Sequence, residues 1–132
     1  MQRALLISLG GALGTLLRYL TAVAAARWFA SDFPYSTLIV NLTGSFLIGV
    51  VQTVGAEALM IPNDARLFLT TGVMGGLTTY SAFSYETVRL MQVGAWPQAV
   101  INVLVTTIAC LALCFLGVGV GRMLVAARGF SG

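Results

Sequence analysis

Two sets of polar side chains recur every four residues inside long apolar stretches, a spacing that puts each set on one face of a helix. The first is Thr37, Asn41 and Ser45; the second is Asn102, Thr106, Cys110 and Cys114. In lipid such groups are costly, and they face a partner helix or a water-filled path. Asn41 is the most versatile of them, because its amide both donates and accepts hydrogen bonds. Two stripes on two helices suit a narrow hydrogen-bonding track for a small polar solute. They also suit interhelical glue.

A third stretch departs from helix chemistry: Thr70-Thr71-Gly72-Val73-Met74-Gly75-Gly76-Leu77-Thr78-Thr79-Tyr80-Ser81-Ala82-Phe83-Ser84. A double glycine followed by threonines makes a poor continuous helix. Helices broken at bilayer depth survive where the freed backbone groups are buried or line a cavity, and their carbonyls then suit a cation. Tyr80 and Phe83 lie three apart and share a face just beyond the expected break. The positive edge of an aromatic ring can meet an anion while the ring keeps bulk water out. The plainer reading is a kinked helix with packed aromatics. Arg18 is the one positive charge well inside an apolar run; it either snorkels toward Arg27 or stands in a vestibule and draws anions inward. Glu86, three residues before Arg89, reads as half of an interfacial helical pair.

Other chemistries lack their residues. Histidine is absent, which removes the commonest general base and metal ligand. Cys110 and Cys114 have no partners for a zinc site and are poorly placed for a disulfide. All seven basic residues are scattered arginines, so no basic stripe points to nucleic acid. With no nucleophile, base or phosphate-binding loop, the chain does not read as an enzyme, and passive flow is favoured over coupled chemistry.

The elements that carry these residues must sit in lipid. Only 8% of the 132 residues are charged, 58% are apolar, and there are 15 glycines besides, whereas an ordinary soluble domain is about 25% charged. That excludes a cytosolic enzyme, a disordered chain and a soluble nucleic-acid binder. A spanning helix takes about 20 apolar residues, so residues 1–132 form a single four-helix transmembrane domain with no soluble domain beside it. The expected spans are Ala4–Ala26, Tyr35–Met60, Ala65–Met91 and Trp96–Val125, leaving a tail from Ala126 to Gly132. Arg3 and the run Ala24-Ala25-Ala26 give the first span some look of a signal peptide, but Arg18 and the glycines interrupt it. Pro34 suits the start of a helix, and Ile61-Pro62-Asn63-Asp64 ends one helix and caps the next.

Four short helices enclose little interior, so a transport role calls for an oligomer. Both termini fall on one side, with Arg3, Arg66, Arg122 and Arg128; the other side has Arg27 and Arg89. That bias is weak. It permits one weakly favoured orientation, and it permits insertion both ways round to give an antiparallel dimer. Gly10, Gly11 and Gly14, and Gly117, Gly119 and Gly121, let helix backbones approach closely and support dimerisation.

The run from Gly75 to Ser84, with Glu86, resembles the third-helix signature of Fluc (CrcB-type) fluoride channels. Val40-Asn41-Leu42-Thr43-Gly44 and the start Gly10-Gly11-Ala12-Leu13-Gly14 with Leu17-Arg18-Tyr19 are similar to that family as well. The resemblance implies an all-α membrane protein with four transmembrane helices, the third broken near Gly75-Gly76, assembled as an antiparallel dual-topology homodimer in the inner membrane. It implies two fluoride pores and one central structural sodium ion, held by backbone carbonyls that map onto Gly75 and Thr78. Asn41 would be the pore amide, Tyr80 and Phe83 the aromatic pair, and Ser81, Ser84, Thr106 and Cys110 the polar track; Arg18 would belong to the vestibule. The partners so implied are a second copy, fluoride and membrane lipid. Three positions depart from the family: Tyr80 stands where phenylalanine is common, Ala82 where a hydroxyl residue is usual, and Cys110 where serine or threonine is often found. These bear on conduction rate more than on ion identity. Two other readings compete. A small dual-topology drug exporter needs a glutamate in its first span, which here offers Arg18 and no acid. A non-transporting assembly subunit leaves the broken helix and both polar stripes unexplained.

Overall fold

The computed structural model describes residues 1–29, 31–57 and 61–129, and among these it contains helices and no strands. Helix α1 runs over Gln2–Trp28 and α2 over Tyr35–Glu57. The third segment comes in pieces. Helix α3 (Asn63–Leu67) passes through a π-helical stretch (Phe68–Met74) into a single further turn, α4 (Gly75–Leu77), and α5 (Tyr80–Gln92) follows after two residues. Helix α6 spans Trp96–Gly129. Three of these helices, α1, α2 and α6, are long and apolar enough to cross a membrane. With the pieced segment they make the four spans. The expected end of the second span at Met60 lies outside the described residues. The expected tail is a correction: it is helical as far as Gly129, because α6 meets no breaker after Val125.

The connections follow from local chemistry. Pro34 precedes α2, and its carbonyl accepts from the Leu38 N–H. Phe29 stacks on Tyr35 with ring centroids 4.5 Å apart, placing aromatics where a membrane boundary favours them. Between α5 and α6, Gly94 has a φ of +79°. Its N–H reaches the Met91 carbonyl and the Ala95 N–H reaches Leu90, the paired bonds of a glycine-terminated helix. This tight turn makes α5 and α6 an antiparallel hairpin.

Close backbone packing builds the bundle. A Cβ on Gly14 would collide with the Val73 carbonyl oxygen, one on Gly10 would lie 2.7 Å from the Phe68 oxygen, and one on Gly76 would collide with the Gly11 oxygen. The third segment therefore rides directly on α1. On the opposite flank Gly49 and Gly117 let α2 and α6 touch backbone to backbone. This corrects the expectation that the glycine pattern serves dimerisation: Gly10, Gly14, Gly117 and Gly121 meet neighbours of their own chain, while Gly11 and Gly119 have open space. The small apolar core is Val40, Val73, Met74 and Leu77, flanked by Leu47, Ile48 and Phe68. Large apolar side chains such as Leu5, Leu20, Ile108 and Phe115 cover the outside, as lipid or a second subunit requires.

Candidate functional site

The break in the third segment lies at Thr78–Thr79, two residues beyond the double glycine where it was expected. Thr78 has φ −80° and ψ 155°, and Thr79 has φ −153° and ψ 115°, both extended. Gly75 is helical. The double glycine thus serves packing at Gly76 and not the break.

Asn41 makes the break possible. Its Oδ1 accepts from the Thr79 N–H at 2.8 Å, and its Nδ2 donates to the Thr79 carbonyl at 3.1 Å. One buried side chain satisfies both backbone groups of one residue, as a strand partner would. The resemblance implies a pore role for the Asn41 amide; here two of its hydrogen-bonding positions are held by the backbone, and one N–H of the amide is left over. Gly44 leaves room for Thr78, since a Cβ there would collide with the Thr78 Cγ2. Thr79 then caps α5: its Oγ1 accepts from the Ala82 N–H at 3.2 Å and lies 3.2 Å from Ser81 Oγ.

These diversions release carbonyls. In a continuous helix the Thr79 N–H would reach Gly75 O and the Ala82 N–H would reach Thr78 O. Both donors are engaged elsewhere. Tyr80 and Ser81, the first residues of α5, likewise make no backbone bond back to Gly76 and Leu77, so all four carbonyls from Gly75 to Thr78 lose their helical donors, and the two residues that the resemblance mapped to a cation are among them. The oxygen donors suit a hard monovalent ion. No group of three acidic, histidine or cysteine side chains that could hold a metal exists among the described residues.

Beside the break lies a cleft of about 490 Å³. Among its walls are Asn41, Ser45, Thr78, Tyr80, Phe83 and Cys110, and Gly75, Thr79, Thr106 and Thr107 line it too. No wall residue is charged. The Tyr80 and Phe83 ring centroids are 5.4 Å apart with planes tilted by 49°. Phe83 is buried, whereas Tyr80 is 81% exposed.

Of the four residues that the resemblance mapped to a polar track, Thr106 and Cys110 line the cleft. Ser81 is exposed and lies against the Thr79 hydroxyl, and Ser84 Oγ donates to the Tyr80 carbonyl; neither is among the cleft walls. Arg18, half-buried on α1, is not among them either. Thr106 does line the cleft, but its hydroxyl donates to Asn102 Oδ1 at 3.3 Å. Ser45 and Thr107 line it with hydroxyls that have no hydrogen bond among the described residues. Thr107 was missed because the four-residue rule selected Asn102, Thr106 and Cys110; its spacing of three from Cys110 also places it on that face.

Glu86 departs from the expected interfacial helical pair and does not pair with Arg89. Thr37 Oγ1 donates to its Oε1 at 2.8 Å, joining α5 to α2, and its Oε2 is buried without a partner. Arg3 and Asp64 form an ion pair at 3.0 Å, on the exposed terminal side.

The comparisons with known proteins agree with one another. The family described as "CrcB-like protein, Camphor Resistance (CrcB)" matches residues 5–118. The chain is 50% identical to the fluoride-specific ion channel FluC of Anaeromyxobacter dehalogenans over 115 residues, 87% of this chain and 91% of the relative. It is 44% identical to the FluC of Sorangium cellulosum over 126 residues, covering 96% and 99% of the two chains. Against the FluC of Citrifermentans bemidjiense it is 44% identical over 124 residues, 94% of this chain and all of the relative.

Proposed function

Because the chain belongs to the CrcB family, we propose that it is a passive, fluoride-selective channel that lets fluoride leave the cytoplasm down its electrochemical gradient. It is a multi-pass protein of the inner membrane and not an enzyme. The observation that carries the reading is the uncharged cleft beside the break, which the Tyr80 and Phe83 rings, Asn41 and the Ser45 and Thr107 hydroxyls line together.

Fluoride is small and strongly hydrated, so a pore must replace its water with donors at short range. The left-over Asn41 N–H, the Ser45 and Thr107 hydroxyls and the Cys110 thiol are the donors on this wall. The Tyr80 and Phe83 edges add weaker positive potential and exclude water. The N-terminal end of α5 also meets the cleft at Thr79 and Tyr80, and a helix N-terminus favours negative charge. Without a charged wall the ion is not trapped, which conduction requires.

The functional unit we propose is an antiparallel homodimer with two pores, in which the second subunit covers Tyr80 and completes the track with Ser81 and Ser84. Arg18 would serve the aqueous mouth, drawing anions toward the bilayer. The Gly75 and Thr78 carbonyls of both subunits would hold a structural sodium ion, which when bound supplies a fixed positive charge near the two-fold axis.

The deciding experiment is fluoride efflux from proteoliposomes holding the purified protein, with an ionophore clamping the voltage and chloride as control. Rapid fluoride loss without chloride loss is expected. No fluoride loss from folded dimers, or equal loss of both ions, would overturn the reading.

A further inference from the structure

Helix α5 carries Phe83, and Asn41 anchors its start through Thr79. Two extended residues separate it from α4, so the hydrogen-bond ladder of α4 does not run on into α5, and side-chain contacts along α5 hold the rest of it in place. Its buried residues are Phe83, Thr87 and Leu90, a single stripe with a polar member at its centre. Phe83 and Thr87 are four apart and stack on one face. Apolar burial alone holds such a narrow stripe weakly.

A buried hydrogen-bond chain holds that face to α6. Asn102, 1% exposed, donates from Nδ2 to Thr87 Oγ1 at 2.9 Å. The Thr87 hydroxyl in turn donates to the Phe83 carbonyl at 2.7 Å. Thr106 Oγ1 donates to Asn102 Oδ1, fixing the amide from the other side. One residue earlier on α5, Glu86 is bonded to Thr37 of α2. Successive residues turn about 100° around the helix axis, so the two bonds tie α5 to different neighbours and together define its rotation. Neither Asn102 nor Thr87 is among the cleft walls.

We infer that Asn102 is a positioning residue: through Thr87 it sets the rotation of α5 and so the place of the Phe83 ring in the cleft. The inference rests on the fluoride-channel reading and adds a residue of α6 that does not itself meet the ion. A role confined to stability would lower the number of working channels and leave the current through each one unchanged. A positioning role lowers the current through each channel.

Single-channel fluoride currents in planar bilayers separate the two. Asn102→Ala should lower the unit current about tenfold, the scale of one buried hydrogen bond lost. Thr87→Val should do the same, Thr87→Ser, which keeps the hydroxyl, should restore the wild-type current, and the double variant N102A/T87V should be no worse than either single. Wild-type unit current in Asn102→Ala would overturn the inference, as would multiplied losses in the double variant. Should Asn102→Ala fail to assemble, Thr87→Val and Thr87→Ser decide it, and equal unit currents in those two would overturn it. A wild-type protein silent to fluoride would instead sink the channel reading itself.

Discussion

At the scale of single residues, what matters is where each polar hydrogen is spent. Asn41 holds both backbone groups of Thr79, so Asn41→Ala removes two buried bonds together with a cleft donor. Leaving such groups unpaired costs about 1–3 kcal/mol each; the variant should lose fluoride flux and unfold at a clearly lower temperature, both measurable on one preparation. The hydroxyls divide in the same way. Ser84 spends its proton on the Tyr80 carbonyl, whereas Ser45 faces the cleft with its proton unspent. Ser45→Ala should therefore lower flux about fivefold, the worth of one modest hydrogen bond, with Ser84→Ala doing less. Efflux rates that rank the other way would show that the second subunit reassigns these donors. Tyr80 is largely exposed and has no partner for its hydroxyl among the described residues. Tyr80→Phe should leave the fold intact and raise the flux.

Among the elements, the glycines of α1 give a sharp contrast. Gly14→Ala drives a methyl into the Val73 carbonyl and to within 2.8 Å of the Leu77 N–H. Backbone cannot yield as a side chain does, so the variant should lose about 1–3 kcal/mol. Gly11→Ala meets open space and should be tolerated, as thermal unfolding in detergent would read. The four spans and the fact of a broken third segment were legible in the residues, because apolar length and glycine–threonine composition speak directly to helix stability. The position of the break was not legible. It depends on Asn41 reaching across from α2 to Thr79, a contact between residues 38 apart that no local propensity encodes. Gly75-Gly76 looked like the breaker because glycine weakens a helix, but close approach to α1 is an equally good reason for a glycine, and only tertiary packing distinguishes the two. The aromatic pair was legible from spacing alone. Which hydroxyls are spent was not.

For the whole molecule, the outer surface sets the terms. Exposed Leu, Ile, Phe and Tyr side chains surround a chain with few buried apolar residues among those described, the packed cluster being Val40, Val73, Met74 and Leu77, and the cleft beside the break has one ring, Tyr80, that is largely exposed. In the antiparallel homodimer we propose, the second copy covers this ring and completes the walls. With both cysteines replaced by serine, a single cysteine at Arg128 should be labelled in about half of the molecules by an impermeant thiol reagent applied to whole cells, since near-balanced arginines permit both insertions. Labelling of all molecules or of none would exclude the dual arrangement.

The pieced third segment also bears on how the chain enters the bilayer during synthesis. Helix α5 has 13 residues, about 20 Å at 1.5 Å per residue, against a hydrocarbon thickness of about 30 Å. It cannot be admitted as a span by its own length. The glycine turn at Gly94 delivers α6 directly behind it, and α6 is the most apolar of the candidate spans. No helix of the third segment is by itself long and apolar enough to cross a membrane, so we expect the nascent segment to settle in the bilayer only once α6 follows it. A chain truncated after Gln92 should leave its last segment outside the membrane, open to protease, until the α6 sequence is restored.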